Sequence, residues 1–145
     1  SGALRSDSVY DSMTSRASGY SSATNYLILV DTANCRVAIY QGSVKNWNNI
    51  HYYSCAPGKA STPTVKGEFT VGIRGYYFDS GSSRCFWYTQ FKGNYLFHST
   101  LYNKNGTIQD NRTGIPLSHG CVRLEIQYAK WIYDNIPSGT KVVVY

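Results

Sequence analysis

The stretch Leu117-Ser118-His119-Gly120-Cys121-Val122-Arg123-Leu124 carries the strongest functional signal in this sequence. It follows a long polar loop, residues 103–114, and precedes a segment with helical periodicity. A cysteine beside a helix N-terminus is stabilised as the thiolate by the helix dipole, and a neighbouring arginine adds positive charge. We therefore take Cys121 as the candidate nucleophile, with Arg123 as its charged neighbour.

Gly120 lacks a Cβ, so the backbone amides of residues 119–121 are expected to converge on one point and bind an oxyanion. A cysteine nucleophile also needs a base, and the candidates are His51, His98 and His119. We prefer His98, because it ends an apolar run and a strand would hold it rigidly at the mouth of a cleft. His51 is interpreted as an ordinary strand residue.

Outward from this stretch, the pattern predicts a mainly β protein with one clear helix. The runs Tyr26–Val30 and Arg36–Tyr40 flank a turn-forming segment and predict a hairpin. Further strands are expected at 47–54, 67–73, 86–90, 94–98 and 141–145. The helix is indicated by an apolar face at helical spacing, formed by Leu124, Tyr128, Trp131, Ile132 and Ile136. Short strands at this spacing favour a sandwich or a barrel.

Composition limits the function classes. A chain of 145 residues is expected to form one domain, and only 15% of its residues are charged, which suits a secreted protein. The net charge is +6, but the basic residues are scattered with no run of three, which argues against nucleic-acid binding. An anionic cell surface is the better electrostatic partner.

No segment has the roughly 20 consecutive apolar residues that cross a bilayer, so we expect no membrane span in this fragment or mature form. Residues 1–25 contain eight serines and no clean periodicity, and they are interpreted as a solvated linker or arm before a domain at 26–145. The four cysteines lack paired spacing and the histidines are dispersed, so no metal and no cofactor are expected. Two disulfides remain an alternative use of the cysteines.

The motif Ser118-His119-Gly120-Cys121, with a lone upstream His on a strand, resembles the L,D-transpeptidase catalytic domain, also called the YkuD domain. The resemblance extends from Tyr26 to Tyr145 and includes the Pro- and Gly-containing segment 57–69 and the strand end 97–99. It implies a YkuD-type β-sandwich. Arg123 stands where this family often has Asn, and 19 residues separate His98 from Ser118, which predicts an enlarged loop.

This resemblance implies an extracytoplasmic bacterial enzyme, in the cell wall or secreted, that forms 3→3 cross-links in peptidoglycan and is a carbapenem target. Cys121 would attack a tetrapeptide stem, expel the terminal D-alanine and form a thioester, which an acceptor amine then resolves. His98 would be the general base, oriented by the Ser99 carbonyl, and residues 119–121 would form the oxyanion site. The candidate substrate-binding residues are Ser118, Thr64, Trp87 and Arg123. We expect peptidoglycan stem peptides as the partners, and we expect the protein to be a monomer.

In the resembled family the segment near residues 80–83 forms a lid. A disulfide between Cys55 and Cys85 would tie that lid to a strand end, and we expect this pairing. Cys35 alternates with Val37 and Ile39, so it is expected to pack as a small buried hydrophobe.

Three alternatives remain. A sortase-like transpeptidase shares the order His98, Cys121, Arg123, but its Arg lies on a later strand. An L,D-carboxypeptidase would use the same Cys and His with water as the acceptor. A non-catalytic wall-binding module would use aromatic rings and positive charge, with Cys121 locked in a disulfide.

Overall fold

A computed structural model describes residues 4–145 and contains two helices and eleven strands within them. The helices are α1 (Ser8–Ala17) and α2 (Ile126–Asn135). The strands are β1 (Tyr26–Asp31), β2 (Arg36–Ser43), β3 (Asn46–Ser54), β4 (Gly67–Thr70), β5 (Arg74–Ser80), β6 (Ser83–Lys92), β7 (Tyr95–Ser99), β8 (Leu101–Asn103), β9 (Ile108–Asp110), β10 (Val122–Leu124) and β11 (Lys141–Val144). The mainly β class and the early hairpin are confirmed, since β1 and β2 pair antiparallel.

The strands form two sheets. Sheet A has the order β3-β2-β1-β11-β4, and its only parallel pair joins β1 to β11 in the described chain. Sheet B has the order β10-β7-β6-β8-β9, with β5 paired to β6. A core between the two sheets contains Ile28 and Val30 from β1, Phe97 from β7, Val122 from β10 and Ile132 from α2. The predicted sandwich is therefore present, with α2 packed against β6 and β7.

The opposite face of sheet A is also covered. Leu27 and Leu29 alternate with Ile28 and Val30 along β1, and they pack with Met13 of α1 in a second apolar cluster. Since successive side chains on a strand point to opposite faces, a strand with no polar alternation must be covered on both sides. Helix α1 supplies that second cover.

The interpretation of residues 1–25 as a linker or arm is therefore wrong for α1. Asp7 caps this helix by accepting a hydrogen bond from the Tyr10 N–H at 2.9 Å, and the Tyr52 hydroxyl donates to the same carboxylate at 2.7 Å. Met13 is completely buried. Serines on the exposed face gave the segment a linker-like composition, while a few apolar contacts hold it on the sheet.

Several predicted boundaries also change. β6 is longer than predicted, β4 is shorter, and β5, β8, β9 and β10 were not predicted. The helix begins at Ile126 and not directly after Cys121, because β10 pairs in parallel with β7 before the chain turns into α2. These short strands obtain their hydrogen bonds from neighbours distant in sequence, which local patterning does not reveal. None of the described helices has the length and apolar character of a membrane span.

Candidate active site

The outer face of sheet B borders a cavity of about 330 Å³. Residues from the β5–β6 hairpin, from β7 and from the loop before β10 surround it: Phe78, Ser80, Ser83, Cys85, Asn94, His98, Leu101, Ser118, His119, Cys121 and Arg123. The cavity therefore brings together the predicted nucleophile, the predicted base and the neighbouring arginine.

The register between β7 and β10 places these side chains together. Arg123 is the partner of His98, and Val122 is the partner of Phe97. Paired residues share a face of the sheet, and residues two apart along a strand share a face. Val122 and Phe97 accordingly enter the core, while His98, Arg123 and the preceding Cys121 face the cavity.

His98 is held in one orientation by its own strand end. Its Nδ1 lies 2.6 Å from the Ser99 carbonyl oxygen, and because a carbonyl only accepts, Nδ1 carries the proton and Nε2 keeps its lone pair. Ser99 is itself fixed, since its hydroxyl accepts from the Phe86 N–H at 2.8 Å and donates to the Thr100 carbonyl at 2.7 Å. The geometry is that of an oriented general base.

Burial keeps this base neutral. The His98 side chain is only 4% exposed, and Phe78 packs edge-on to its ring at 5.3 Å between centroids. Desolvation lowers the pKa of His98 to about 4, with the Arg123 charge acting in the same direction and the Ser99 carbonyl opposing it. The imidazole is consequently an available base throughout the neutral range.

Cys121 is a protonated thiol at neutral pH. Burial raises its pKa, against the lowering effects of the Leu96 backbone hydrogen bond and the Arg123 charge. The thiol donates to the Asn94 carbonyl oxygen at 3.4 Å. Cys121 and His98 are therefore both neutral at rest, and both line the same cavity.

This result corrects the expectation of a thiolate at a helix N-terminus. The helix dipole acts only within the first turn, and β10 and Glu125 separate Cys121 from α2. The apolar periodicity from Leu124 onwards suggested an earlier helix start than the structure has. The dipole of α2 therefore does not lower the pKa of the Cys121 thiol.

The turn before Cys121 depends on glycine and serine. Gly120 has a φ of 130°, and a Cβ there would come within 2.9 Å of the Tyr95 ring. Ser118 is buried, its hydroxyl accepts from the Gly120 N–H at 3.0 Å, and it donates to the Cys121 carbonyl. The Gly120 amide is thereby used inside the turn, contrary to the expectation that it contributes to an oxyanion site. His119 is exposed at the cavity wall.

The loop 57–64 braces this turn. Lys59 N–H and the Thr62 hydroxyl both donate to the Ser118 carbonyl, at 3.0 and 2.8 Å. Thr64 is buried and its hydroxyl accepts from the Gly58 N–H at 2.9 Å. Thr64 does not line the cavity, so the structure gives it a supporting position and not the expected substrate contact.

Arg123 is buried at the cavity wall with a free hydrogen-bonding capacity. Its side chain is 7% exposed, and its Nε has no partner among residues 4–145. Its backbone pairs with Ala56, with N···O distances of 2.9 and 3.0 Å, which fixes the residue in place. A buried guanidinium with unused donors is suited to a carboxylate ligand.

Two expectations are not met by the geometry. Trp87 packs on Tyr133 of α2 at 4.9 Å between ring centroids, and it is absent from the cavity wall. None of the four cysteines is disulfide-bonded in this structure. The expected bond between Cys55 and Cys85 is not formed, because Cys55 lies in the inter-sheet core whereas Cys85 faces the cavity.

The cavity also contains residues that the sequence analysis missed. Phe78 of β5 packs on His98, and the Asn94 backbone carbonyl accepts a hydrogen bond from the Cys121 thiol. Cys85, which was expected to be disulfide-bonded, adds a second thiol to the wall. Strand β5, Arg74–Ser80, was not predicted, although its three consecutive aromatic residues favour a strand. That signal was available for β5. Within residues 4–145, no group of three or more His, Cys, Asp or Glu side chains is arranged to hold a metal.

These features define the class of protein. The model of the L,D-transpeptidase catalytic domain family, YkuD, matches residues 25–144, and the chain belongs to that family.

Particular relatives support this assignment. The "Putative L,D-transpeptidase YciB" of Bacillus subtilis is 46% identical over 55 residues, which cover 36% of this chain and 28% of that protein. A crystal structure from Clostridium acetobutylicum, a fused Zn-dependent amidase/peptidase/peptidoglycan-binding domain-containing protein, is 36% identical with a TM-score of 0.76, over 98% of this chain and 65% of that one. An L,D-transpeptidase from Mycobacterium smegmatis has the same fold, with a TM-score of 0.67, 20% identity, and coverage of 83% of this chain and 58% of its own. The chain thus spans less than two thirds of the length of each.

Proposed function

We propose that this protein is a peptidoglycan L,D-transpeptidase that forms 3→3 cross-links through a thioester on Cys121. The family supports an enzyme acting on peptidoglycan, outside the cytoplasm. The observation that carries the finer proposal is the neutral Cys121 and His98 pair in one cavity, with Nδ1 of His98 bonded to the Ser99 carbonyl. A thiol, an oriented base and a cavity beside them are the parts that acyl transfer needs.

The reaction has two halves. In the first, Nε2 of His98 takes the thiol proton while the Cys121 sulfur bonds to the carbonyl carbon of the third stem residue. The bond to D-alanine then breaks, and the His98 imidazolium returns the proton to the leaving amine. In the second half, the side-chain amine of an acceptor stem attacks the thioester and gives a proton to His98. A new amide forms as the carbon–sulfur bond breaks, and His98 returns the proton to the sulfur.

Arg123 is assigned to a carboxylate of the donor stem. A stem tetrapeptide carries carboxylates close to the bond that is cleaved. Arg123 lines the same cavity, and its buried Nε has no hydrogen-bond partner among residues 4–145. A buried guanidinium binding a carboxylate through two donors would fix the scissile carbonyl near Cys121. The Asp110 carboxylate offsets part of the Arg123 charge, and a bound substrate carboxylate would offset more of it.

Intact-mass analysis after exposure to a carbapenem tests the nucleophile. One structure with this fold is an L,D-transpeptidase in complex with imipenem. Attack of a thiol on the carbonyl carbon of a β-lactam opens the ring and leaves a thioester. One adduct per chain is expected, absent from Cys121→Ala and retained in Cys85→Ala, the matched control from the same cavity. An adduct on Cys85, or none on a folded wild-type protein, would overturn the proposal.

A second assay separates cross-linking from hydrolysis. The protein is incubated with a stem tetrapeptide, with and without an acceptor peptide that carries a free side-chain amine. Cross-linked dimer as the main product supports the transpeptidase, whereas tripeptide alone in both reactions identifies an L,D-carboxypeptidase. Binding to sacculi with neither product would identify the wall-binding module.

A further inference from the structure

The four cysteines fall into two spatial groups. Cys85 and Cys121 face the cavity. Cys35 and Cys55 do not line it, and they lie where the β1–β2 turn meets the end of β3. Cys35 is 3% exposed and Cys55 is fully buried. Neither Cys35 nor Cys55 takes part in the proposed chemistry, so their positions need a separate explanation.

The register of sheet A puts Cys35 directly opposite Cys55. Strands β2 and β3 are antiparallel, and their terminal registered pair is Arg36 with Ser54. One step further along both chains is Cys35 opposite Cys55, and the Cys55 N–H donates to the Cys35 carbonyl at 3.0 Å. That single hydrogen bond places the two backbones at the usual antiparallel spacing, for which paired Cα atoms are about 4.5 to 5.5 Å apart. Disulfide-linked cysteines have Cα separations of about 4.4 to 6.8 Å.

The backbone at Cys35 is a second observation. This residue ends the hairpin turn with a φ of 59°, a conformation that usually selects Gly or Asn. A cysteine occupies it here, and its side chain is buried and not exposed as a turn residue would be. The thiolate charge of Cys35 also acts on Cys55 and helps to raise the pKa of Cys55, which burial already raises.

We propose that Cys35 and Cys55 form a disulfide in the mature protein. This inference is independent of acyl transfer and rests only on the extracytoplasmic location that the proposed function implies, where disulfides persist. The bond forms during folding: the two thiols lose two protons and two electrons, and a disulfide donor such as oxidised glutathione is reduced to two thiols. The bond would join the first hairpin to the start of the loop that braces Ser118.

Refolding in a redox buffer tests the proposal. Protein carrying Cys121→Ala is unfolded with reductant, refolded with reduced and oxidised glutathione, alkylated and digested without reduction. A peptide linking Cys35 to Cys55 is expected, with a mass lower by two hydrogen atoms and with Cys85 alkylated. Alkylation of all three remaining cysteines, or a linked peptide that contains Cys85, would overturn the proposal.

Thermal unfolding gives a second readout. Closing this loop should raise Tm by about 10 °C in oxidised protein relative to reduced protein. That difference should vanish in Cys35→Ala. It should persist in Cys85→Ala, because Cys85 lines the cavity and takes no part in the proposed bond. Equal Tm values with and without reductant in a chain that contains both cysteines would count against the bond. The carbapenem adduct on Cys121 is measured separately, so failure of either proposal leaves the other intact.

Discussion

At the scale of single residues, the protonation states of Cys121 and His98 determine how the site works. Burial disfavours the charged form of both groups, so the resting pair is thiol and imidazole and not thiolate and imidazolium. In the proposed mechanism, charge appears only when the proton moves, during attack on the substrate. Arg123, close to both, then favours the sulfur anion and opposes the imidazolium.

Replacing His98 by Gln should lower the acylation rate by about 10² to 10⁴-fold, because this removes the proton acceptor. In the wild type, the acid limb of the rate profile should lie near pH 4 and not near 6.5, since the pKa of His98 is lowered to about 4. Stopped-flow acylation by a carbapenem across pH 4 to 8 measures both. His119→Ala is the control, and a severe loss in that variant with an unaffected His98→Gln would reverse the assignment.

Replacing Arg123 by Gln should raise KM for a donor stem with free carboxylates by about 10 to 100-fold, the range for losing a charge-assisted hydrogen bond. Arg123→Lys should recover only part of this, because an ammonium lacks the planar pair of donors. Steady-state kinetics with free and amidated donor stems measure the effect. Equal losses on both donors would show that Arg123 acts on the thiol or the fold and not on a carboxylate.

At the scale of elements, short segments position the site. β10 has three residues, yet its register with β7 decides that His98, Arg123 and Cys121 share one face. The residue identities and the Ser118 to Cys121 motif could be predicted from the sequence, because chemistry and spacing are local. The pairing of β7 with β10, and therefore the absence of a helix dipole at Cys121, depends on contacts between distant segments.

Helix α1 shows the same limit. Its serines indicate a linker, whereas the signal for its existence lies in β1, where Leu27 and Leu29 need cover on the second face of sheet A. The placement of Trp87 and Thr64 was also beyond local patterning, because each is directed by a partner in another element.

Met13→Ala should reduce the free energy of unfolding by about 2 to 5 kcal/mol, because it leaves a cavity between α1 and sheet A. Met13→Leu, which nearly conserves volume, should cost less than about 1.5 kcal/mol. Urea unfolding measures both, with the exposed Ser12→Ala as the control. If Met13→Ala were as stable as the wild type, the interpretation of residues 1–25 as a linker or arm would be supported instead.

At the scale of the whole molecule, the buried base makes stability depend on pH. The pKa of His98 is about 4 in the folded protein and near 6.5 when unfolded. Between these values the unfolded state binds more protons, so stability falls as the pH drops from 6.5 towards 4. The base that catalysis needs is therefore a source of acid sensitivity.

Acidification from pH 7.5 to 4.5 should accordingly cost the wild type about 2 to 3 kcal/mol more than it costs His98→Gln. Other titrating groups are common to both proteins and cancel in the comparison. Chemical denaturation at the two pH values measures the difference. The same loss in both proteins would show that His98 is not desolvated in the fold.

The position of strand β11 in sheet A affects the order in which the sheet can form. It lies between β1 and β4 in sheet A, so the last of the described strands occupies an interior place in the sheet. Its pairing of Leu27 with Lys141 joins segments more than 110 residues apart in sequence. Because such distant pairings slow folding, β1 keeps one unpaired edge, and β4 has no strand partner in sheet A, until β11 pairs with both. A chaperone or a crowded folding environment would therefore contact this domain while the β1 edge of sheet A is still unpaired.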